Sequence, residues 1–179
     1  VFALAAMRPA LLRAVVLNDV GPVLEGAGLA QIRGYLERAP KPRDMADAIT
    51  IQKSASGAGF PALTDADWER SARAFFREER GRPVADFDPA LLKPLKRIDL
   101  NRPLPTLWPQ FTGLRGIPLM AIRGENSSLL SPETLREMAE RHPDMRAVTV
   151  PGQGHAPFLE TAGLPEKIAA FLEHAERKR

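Results

Sequence analysis

His155 stands in the turn Pro151-Gly152-Gln153-Gly154-His155-Ala156-Pro157, directly after the β-branched run Val148-Thr149-Val150. Imidazole titrates near neutral pH, so a histidine held at a loop tip can take a proton from a nucleophile and hand it to a leaving group. Ala147 to Val150 reads as the end of a buried strand, and Gly152 and Gly154 free the backbone to project the ring at the strand's carboxyl edge. Sites in open α/β sheets form at that edge. A histidine that caps a turn and nothing more is the competing reading of the same residues. The other two histidines fit structure better than chemistry. His142 shares an apolar helical face with Leu135, Met138 and Ala139, and His174 lies among charged neighbours on the last helix, where solvation is expected. The chain has no cysteine, which excludes thiol nucleophiles, thiolate zinc sites and disulfide scaffolds.

The elements that must position His155 follow from hydrophobic patterning. Val1 to Met7 reads as the end of a helix, stopped near Arg8-Pro9 because the residue before proline avoids helical geometry. Ala14-Val15-Val16-Leu17, within Leu12 to Asn18, predicts a strand buried on both faces and closed by Gly21-Pro22, which implies a parallel sheet. Ile117 to Ile122 and Arg146 to Val150 predict two more strands. Between them Ser131 is an N-cap with Pro132 at the first helical position and Glu133 in the first turn. Leu164, Ile168, Phe171, Leu172 and Ala175 mark a final amphipathic helix whose basic end, Arg177-Lys178-Arg179, suits the helix dipole.

From Val23 to about Pro105 the character changes to helical segments with proline and glycine joints. Leu29, Ile32 and Leu36 recur at helical spacing, as do Trp68, Ala72, Phe75 and Phe76 after the cap Thr64. Ser54 to Pro61 reads as a glycine-rich joint and Arg97 to Pro109 as an irregular return, so the block is expected to be a mobile helical cap inserted into the sheet. Its apolar faces either line a pocket or fill the block's own core. Three parts are therefore expected: core over 1–22, a helical insertion over 23–105, and core again over 106–179.

With 179 residues, 26% charged and 44% hydrophobic, one globular domain with a real core is expected and wholesale disorder is not. A net charge of +3, with basic residues scattered among acidic ones and no interleaved aromatic platform, argues against a nucleic-acid partner. Arg8, Pro9 and Arg13 interrupt the apolar start, which is too short to span a bilayer and has no basic segment ahead of it. No membrane partner is expected, and the expected location is cytoplasmic.

Strand, helical insertion, strand, helix, strand, histidine turn and helix make a βα alternation that gathers residues at one sheet edge. VVLNDVGP (Val15 to Pro22), PLMAIRGENSSLLSPETL (Pro118 to Leu135) and VTVPGQGHAPFLE (Val148 to Glu160) resemble the carboxyl-terminal half of α/β-hydrolase-fold enzymes, esterase and lactonase-like members above all. The resemblance implies an α/β fold with an incomplete α/β-hydrolase sheet of three parallel strands and an inserted helical cap. It also implies that His155 is the catalytic histidine, paired with a serine in a G-x-S-x-G elbow just upstream of the helix ending at Met7. No stretch here has that pattern; Ser54-Ala55-Ser56-Gly57 has glycine on one side only and no strand before it. The nucleophile and oxyanion-hole amides are therefore expected in an amino-terminal half missing from this chain, which by itself is expected to be inactive.

The resemblance further implies an aspartate in the loop after the strand ending at Ile122, but Ser127 and Ser128 occupy its expected places, Ser128 being the better match. A hydroxyl cannot stabilise imidazolium as a charge does. Two carboxylates are substitutes. Asp19 stands where some members of the fold carry their acid, and Glu125 lies in the right loop but close to the strand; Asp19 ranks first, although an aspartate before Gly21-Pro22 also reads as an ordinary turn residue. The implied activity is serine-type hydrolysis of a small carboxylic ester or lactone, with no metal or cofactor. The alternative is a degenerate, non-catalytic binding module, favoured by loss of the loop aspartate.

Overall fold

β1 (Val15–Asn18) is entered from a short helix, α1 (Phe2–Met7), through a single 3-10 turn at Pro9–Leu11. The computed structural model describes residues 1–38, 40–100 and 102–178. After β1 come α2 (Gly26–Arg38), α3 (Met45–Ser56), α4 (Asp65–Phe75), β2 (Phe76–Glu79), β3 (Arg82–Ala85), α5 (Leu92–Arg97) and α6 (Trp108–Thr112). The chain then returns to the sheet with β4 (Leu119–Gly124), α7 (Pro132–Arg141), β5 (Met145–Val150) and α8 (Leu164–Arg177).

The main sheet is parallel and three-stranded, in the order β1-β4-β5. Val15 pairs with Leu119 and Leu119 with Met145, which brings the carboxyl ends of all three strands to one edge. Every residue of the central strand β4 is buried. Successive side chains on a strand point to opposite faces. Val15, Leu17, Leu119 and Ala121 accordingly join Phe111, Leu114, Leu130 and Met138 on one face, while Met120, Ile122 and Val150 meet Leu164 and Phe171 of α8 on the other. The expectation that β1 is buried on both faces needs correction, since Val16 and Asn18 are only half-buried. β1 is one of the sheet's two edge strands, and among the described residues β4 is its one hydrogen-bonded neighbour.

α7 starts as its sequence predicts. Ser131 caps it by accepting from Thr134 N at 3.2 Å, and Pro132 occupies the first turn, where its missing N–H costs nothing. His142 ends α7 in a structural role: buried, it donates from Nε2 to Leu114 O (3.0 Å) and accepts at Nδ1 from Asp144 N (3.2 Å). His174 is not simply solvated. Its Nε2 lies 3.5 Å from Asp144 Oδ1, because the turn before β5 passes beneath the end of α8. Lys178 Nζ reaches the other oxygen of the same carboxylate at 3.0 Å, and this bond holds the Asp144 carboxyl below its ordinary value. Arg179, the last of the terminal basic residues, lies outside the described residues.

The block between β1 and β4 is not wholly helical. Phe75 and Phe76, expected on one helical face, part company: α4 ends at Phe75, which is 48% exposed, and Phe76 turns inward as the first residue of an antiparallel hairpin, β2–β3. Arg80 and Gly81 form the hairpin turn with φ of 52° and 76°. Two consecutive positive φ values match the right-handed twist of the paired strands, and Gly81 takes such a value without strain. The return segment is irregular as expected over 98–100 and 102–107, between the end of α5 at Arg97 and the start of α6 at Trp108. Entry and exit of the block meet where Leu107 N donates to Pro22 O at 2.7 Å. Among the described residues no helix is long and apolar enough to cross a membrane.

Candidate active site

The first residue beyond β1 is Asp19, in the left-handed region at φ 58°, with its N–H extending the parallel ladder to Ile122 O at 2.7 Å. Aspartate visits this conformation more readily than most residues. The bend turns its side chain inward to complete burial, with 0% exposed. There Oδ1 accepts from Gly124 N (2.9 Å), Oδ2 accepts from Ser127 Oγ (2.6 Å), and His155 Nδ1 stands 2.8 Å from the same Oδ2. An ionised carboxylate only accepts, so Nδ1 carries the proton and Nε2 is left as the basic lone pair. The imidazole is 25% exposed, open on one side.

A close fit between two loops holds that ring in place. Glu125 N donates to Val150 O and Asn126 N to Gln153 O, both at 2.9 Å, so the chain leaving β4 runs against the chain leaving β5. Gly124 permits this approach: a Cβ there would lie 2.3 Å from Gly154 O and 2.5 Å from Gln153 O, well inside contact distance. Gln153, buried below the histidine, accepts from Phe158 N (2.8 Å) and donates to Thr161 Oγ1 (2.8 Å). Asn18 Nδ2 donates to Pro157 O at 3.1 Å, tying the histidine loop back to β1.

The helical block closes on the same loop. Ala62 N donates to Gly152 O (3.2 Å) and Asn126 Nδ2 to Gly59 O (3.1 Å). Phe60 and Trp68 from the block meet Phe158 of the histidine loop at ring separations of 5.7 and 6.2 Å, in the edge-on and tilted arrangements that aromatic quadrupoles favour. Trp68 and Phe60 therefore pack toward the sheet's edge as well as within the block.

Of the residues singled out from sequence, His155 and Asp19 are brought together across 136 positions of chain. The turn role considered for Asp19 is not the one its side chain takes: Oδ1 accepts from the N–H of Gly124, 105 positions away, and not from the Gly21 turn. Ser128 is not brought to the imidazole. Its hydroxyl donates outward to Gln31 Oε1 of α2 at 2.7 Å, because Ser127 N closes a turn on Gly124 O (3.0 Å) that sends Ser127 inward and the next residue out. Glu125 is engaged elsewhere, accepting from Gly152 N at 2.8 Å. Ser127, which with Ser128 stands in the aspartate's expected place, is the one of the pair that turns to the site, whereas Asn18 and Gln153 were not legible as site residues; the Asn-Asp pair ending an apolar strand was the signal available for Asn18. Among the described residues no cluster of three or more His, Asp and Glu side chains is placed to hold a metal ion.

No protein-family model matches the chain. The crystal structure of an α/β hydrolase from Novosphingobium aromaticivorans superposes on 96% of this chain and 60% of its own, with a TM-score of 0.85 and 35% sequence identity. The chain carries the α/β-hydrolase fold. Its three parallel strands and helices are an incomplete α/β-hydrolase sheet, consistent with the carboxyl-terminal portion of that fold. A 3-hydroxybutyrate-oligomer hydrolase of Cupriavidus necator is 29% identical over 167 residues, 89% of this chain and 56% of that protein. A pimeloyl (acyl-carrier protein) methyl ester esterase of Stenotrophomonas maltophilia is 36% identical over 99 residues, 54% of this chain and 33% of that protein. The α/β-hydrolase portion described here thus spans little more than half the length of the relative matched over most of the chain, and its relatives are hydrolases and esterases.

Proposed function

We propose that the intact protein is a serine-type α/β-hydrolase that cleaves a small carboxylic ester or lactone, with His155 as general base and Asp19 as the acid that orients it. The observation that carries this reading is the 2.8 Å contact from His155 Nδ1 to a fully buried Asp19 carboxylate at the carboxyl edge of a parallel sheet. In this reading Asp19 fixes the Nδ1–H tautomer, so Nε2 takes the proton of a serine hydroxyl as that oxygen attacks the ester carbonyl. The imidazolium formed is stabilised by the carboxylate, and its proton passes to the leaving alcohol as the acyl-enzyme forms. His155 then takes a proton from water, which attacks the acyl-enzyme; return of that proton to the serine releases the acid.

The nucleophile and oxyanion hole are proposed to lie in the remainder of the fold, which makes the 179-residue chain inactive alone. The block over 23–105 is proposed as the cap, supported by the bonds that Gly59, Phe60 and Ala62 make with the histidine and neighbouring loops. The methyl ester esterase among the relatives supports an ester substrate. Serine in place of the loop aspartate no longer favours a non-catalytic binding module, since Asp19 supplies the carboxylate that the loop lacks.

The test is hydrolysis of 4-nitrophenyl butyrate by the full-length protein. His155→Ala is expected to lower kcat by at least about 10³-fold and Asp19→Asn by roughly 10²- to 10⁴-fold. Activity retained in His155→Ala refutes the general-base assignment. The isolated chain is expected to resist labelling by a fluorophosphonate, and stoichiometric labelling would locate a nucleophile within these residues.

A further inference from the structure

We propose that Ser127 is a positioning residue that acts through Asp19, its hydroxyl proton holding the carboxylate oxygen that receives the imidazole. This rests on the reading of Asp19 and His155 as the acid and base of the site. Ser127 Oγ is 2.6 Å from Asp19 Oδ2, the oxygen that lies 2.8 Å from His155 Nδ1. A serine hydroxyl has one proton to give and two lone pairs to offer. Leu129 N (3.1 Å) and Leu130 N (3.2 Å) both donate to Ser127 Oγ, which fills its acceptor side and leaves the proton one destination, Asp19. The loop thereby orients the hydroxyl before any substrate arrives.

The environment of Asp19 gives that proton its work. Among the described residues the carboxylate has a single ion-pair partner, His155, and no lysine or arginine. Its charge is completely buried and is held by the N–H of Gly124, the hydroxyl of Ser127 and the imidazole N–H. Polar atoms taken out of water need such donors in its place. Removing the Ser127 hydroxyl leaves Oδ2 with the imidazole alone, so the carboxylate is free to turn away from the Nδ1–H direction and holds the ring less firmly. A role confined to stapling the loop would need only the two acceptor bonds to Leu129 and Leu130.

The test uses the full-length protein with 4-nitrophenyl butyrate. Ser127→Ala is expected to lower kcat roughly 10- to 100-fold, the rate equivalent of a lost hydrogen bond to a charged group, with KM within about twofold. Ser127→Thr, which keeps a hydroxyl, is expected to restore most of the loss. In an Asp19→Asn background, Ser127→Ala is expected to cost less than about twofold, because its route to the imidazole is already cut. The low-field proton resonance of His155 Nδ1 is expected to move upfield in Ser127→Ala, a readout independent of turnover. Unchanged kcat in Ser127→Ala, equal losses in the Ala and Thr variants, or independent additive losses in the double variant would each overturn the proposal. If Asp19→Asn keeps full activity, the underlying reading of the site fails instead.

Discussion

At the scale of single residues, Gly124 decides how near the imidazole comes to β4. A methyl group at this position would meet two backbone oxygens of the histidine loop, at 2.3 and 2.5 Å, and neither is the end of a flexible side chain that can swing aside. Gly124→Ala is therefore expected to cost roughly 1–3 kcal/mol in urea unfolding of the full-length protein, and to lower the proposed ester hydrolysis further by pushing His155 away from Asp19. Unchanged stability would mean that the two loops are less tightly apposed than their hydrogen bonds imply. Asp19→Asn isolates the charge in the same way, because asparagine also tolerates φ near 58° and leaves the backbone bond to Ile122 in place. Asp19 and Ser127 mark the limit of sequence reading at this scale. An aspartate before Gly-Pro has a local explanation that suffices in sequence, and only contacts with residues more than 100 positions away replace it. Between Ser127 and Ser128, chemically identical, the choice depends on which way a turn presents each side chain.

At the scale of elements, α4 shows a start that sequence specifies and an end that it does not. Thr64 accepts from Asp67 N, and the Asp67 carboxylate accepts from Thr64 N at 2.8 Å and from its hydroxyl at 2.6 Å, a closed capping box. These bonds, the hydroxyl's foremost, hold the Asp67 carboxyl below its ordinary value. A carboxyl depressed in the folded state adds stability above its unfolded pKa of about 4, and that stability is lost as pH falls through the folded value. Thr64→Ala is expected to cost about 1 kcal/mol near pH 7, with the gap to the unaltered protein narrowing by pH 3, as measured by urea titration at both pH values. An equal gap in acid would rule out the carboxylate's part in the cap. The end of α4 was misread because Trp68, Ala72, Phe75 and Phe76 keep a helical period up to the point where the chain reverses. The strands that follow, Phe-Arg-Glu-Glu and Arg-Pro-Val-Ala, carry too little alternation to announce a hairpin.

At the scale of the whole molecule, two features govern how this chain behaves. The first is the aromatic contact of Phe60 and Trp68 with Phe158, which joins the helical block to the loop bearing His155. Trp68→Ala is expected to remove about 3–5 kcal/mol, seen as a lower denaturation midpoint, and to raise hydrogen exchange at 152–158 together with 59–62. Exchange confined to the block would show that the two move independently. The second is the outer edge of β1, which among the described residues has no strand beside it on the side away from β4. An unpaired edge on an apolar sheet is a template for association, so the isolated 179-residue chain is expected to self-associate in sedimentation experiments. A monodisperse, cooperatively melting monomer would count against it.

The amino-acid sequence by itself determined the parallel strands, the cap of α7, the final helix and the histidine turn, because burial periodicity, N-cap chemistry and glycine placement are local properties of the chain. Only the tertiary structure decided which carboxylate meets the imidazole, which of two serines turns inward and how the helical block docks. Each of those depends on the register in which β1, β4 and β5 pair and on approaches of a few ångströms between residues far apart in sequence, where one position of register reverses the side a residue faces.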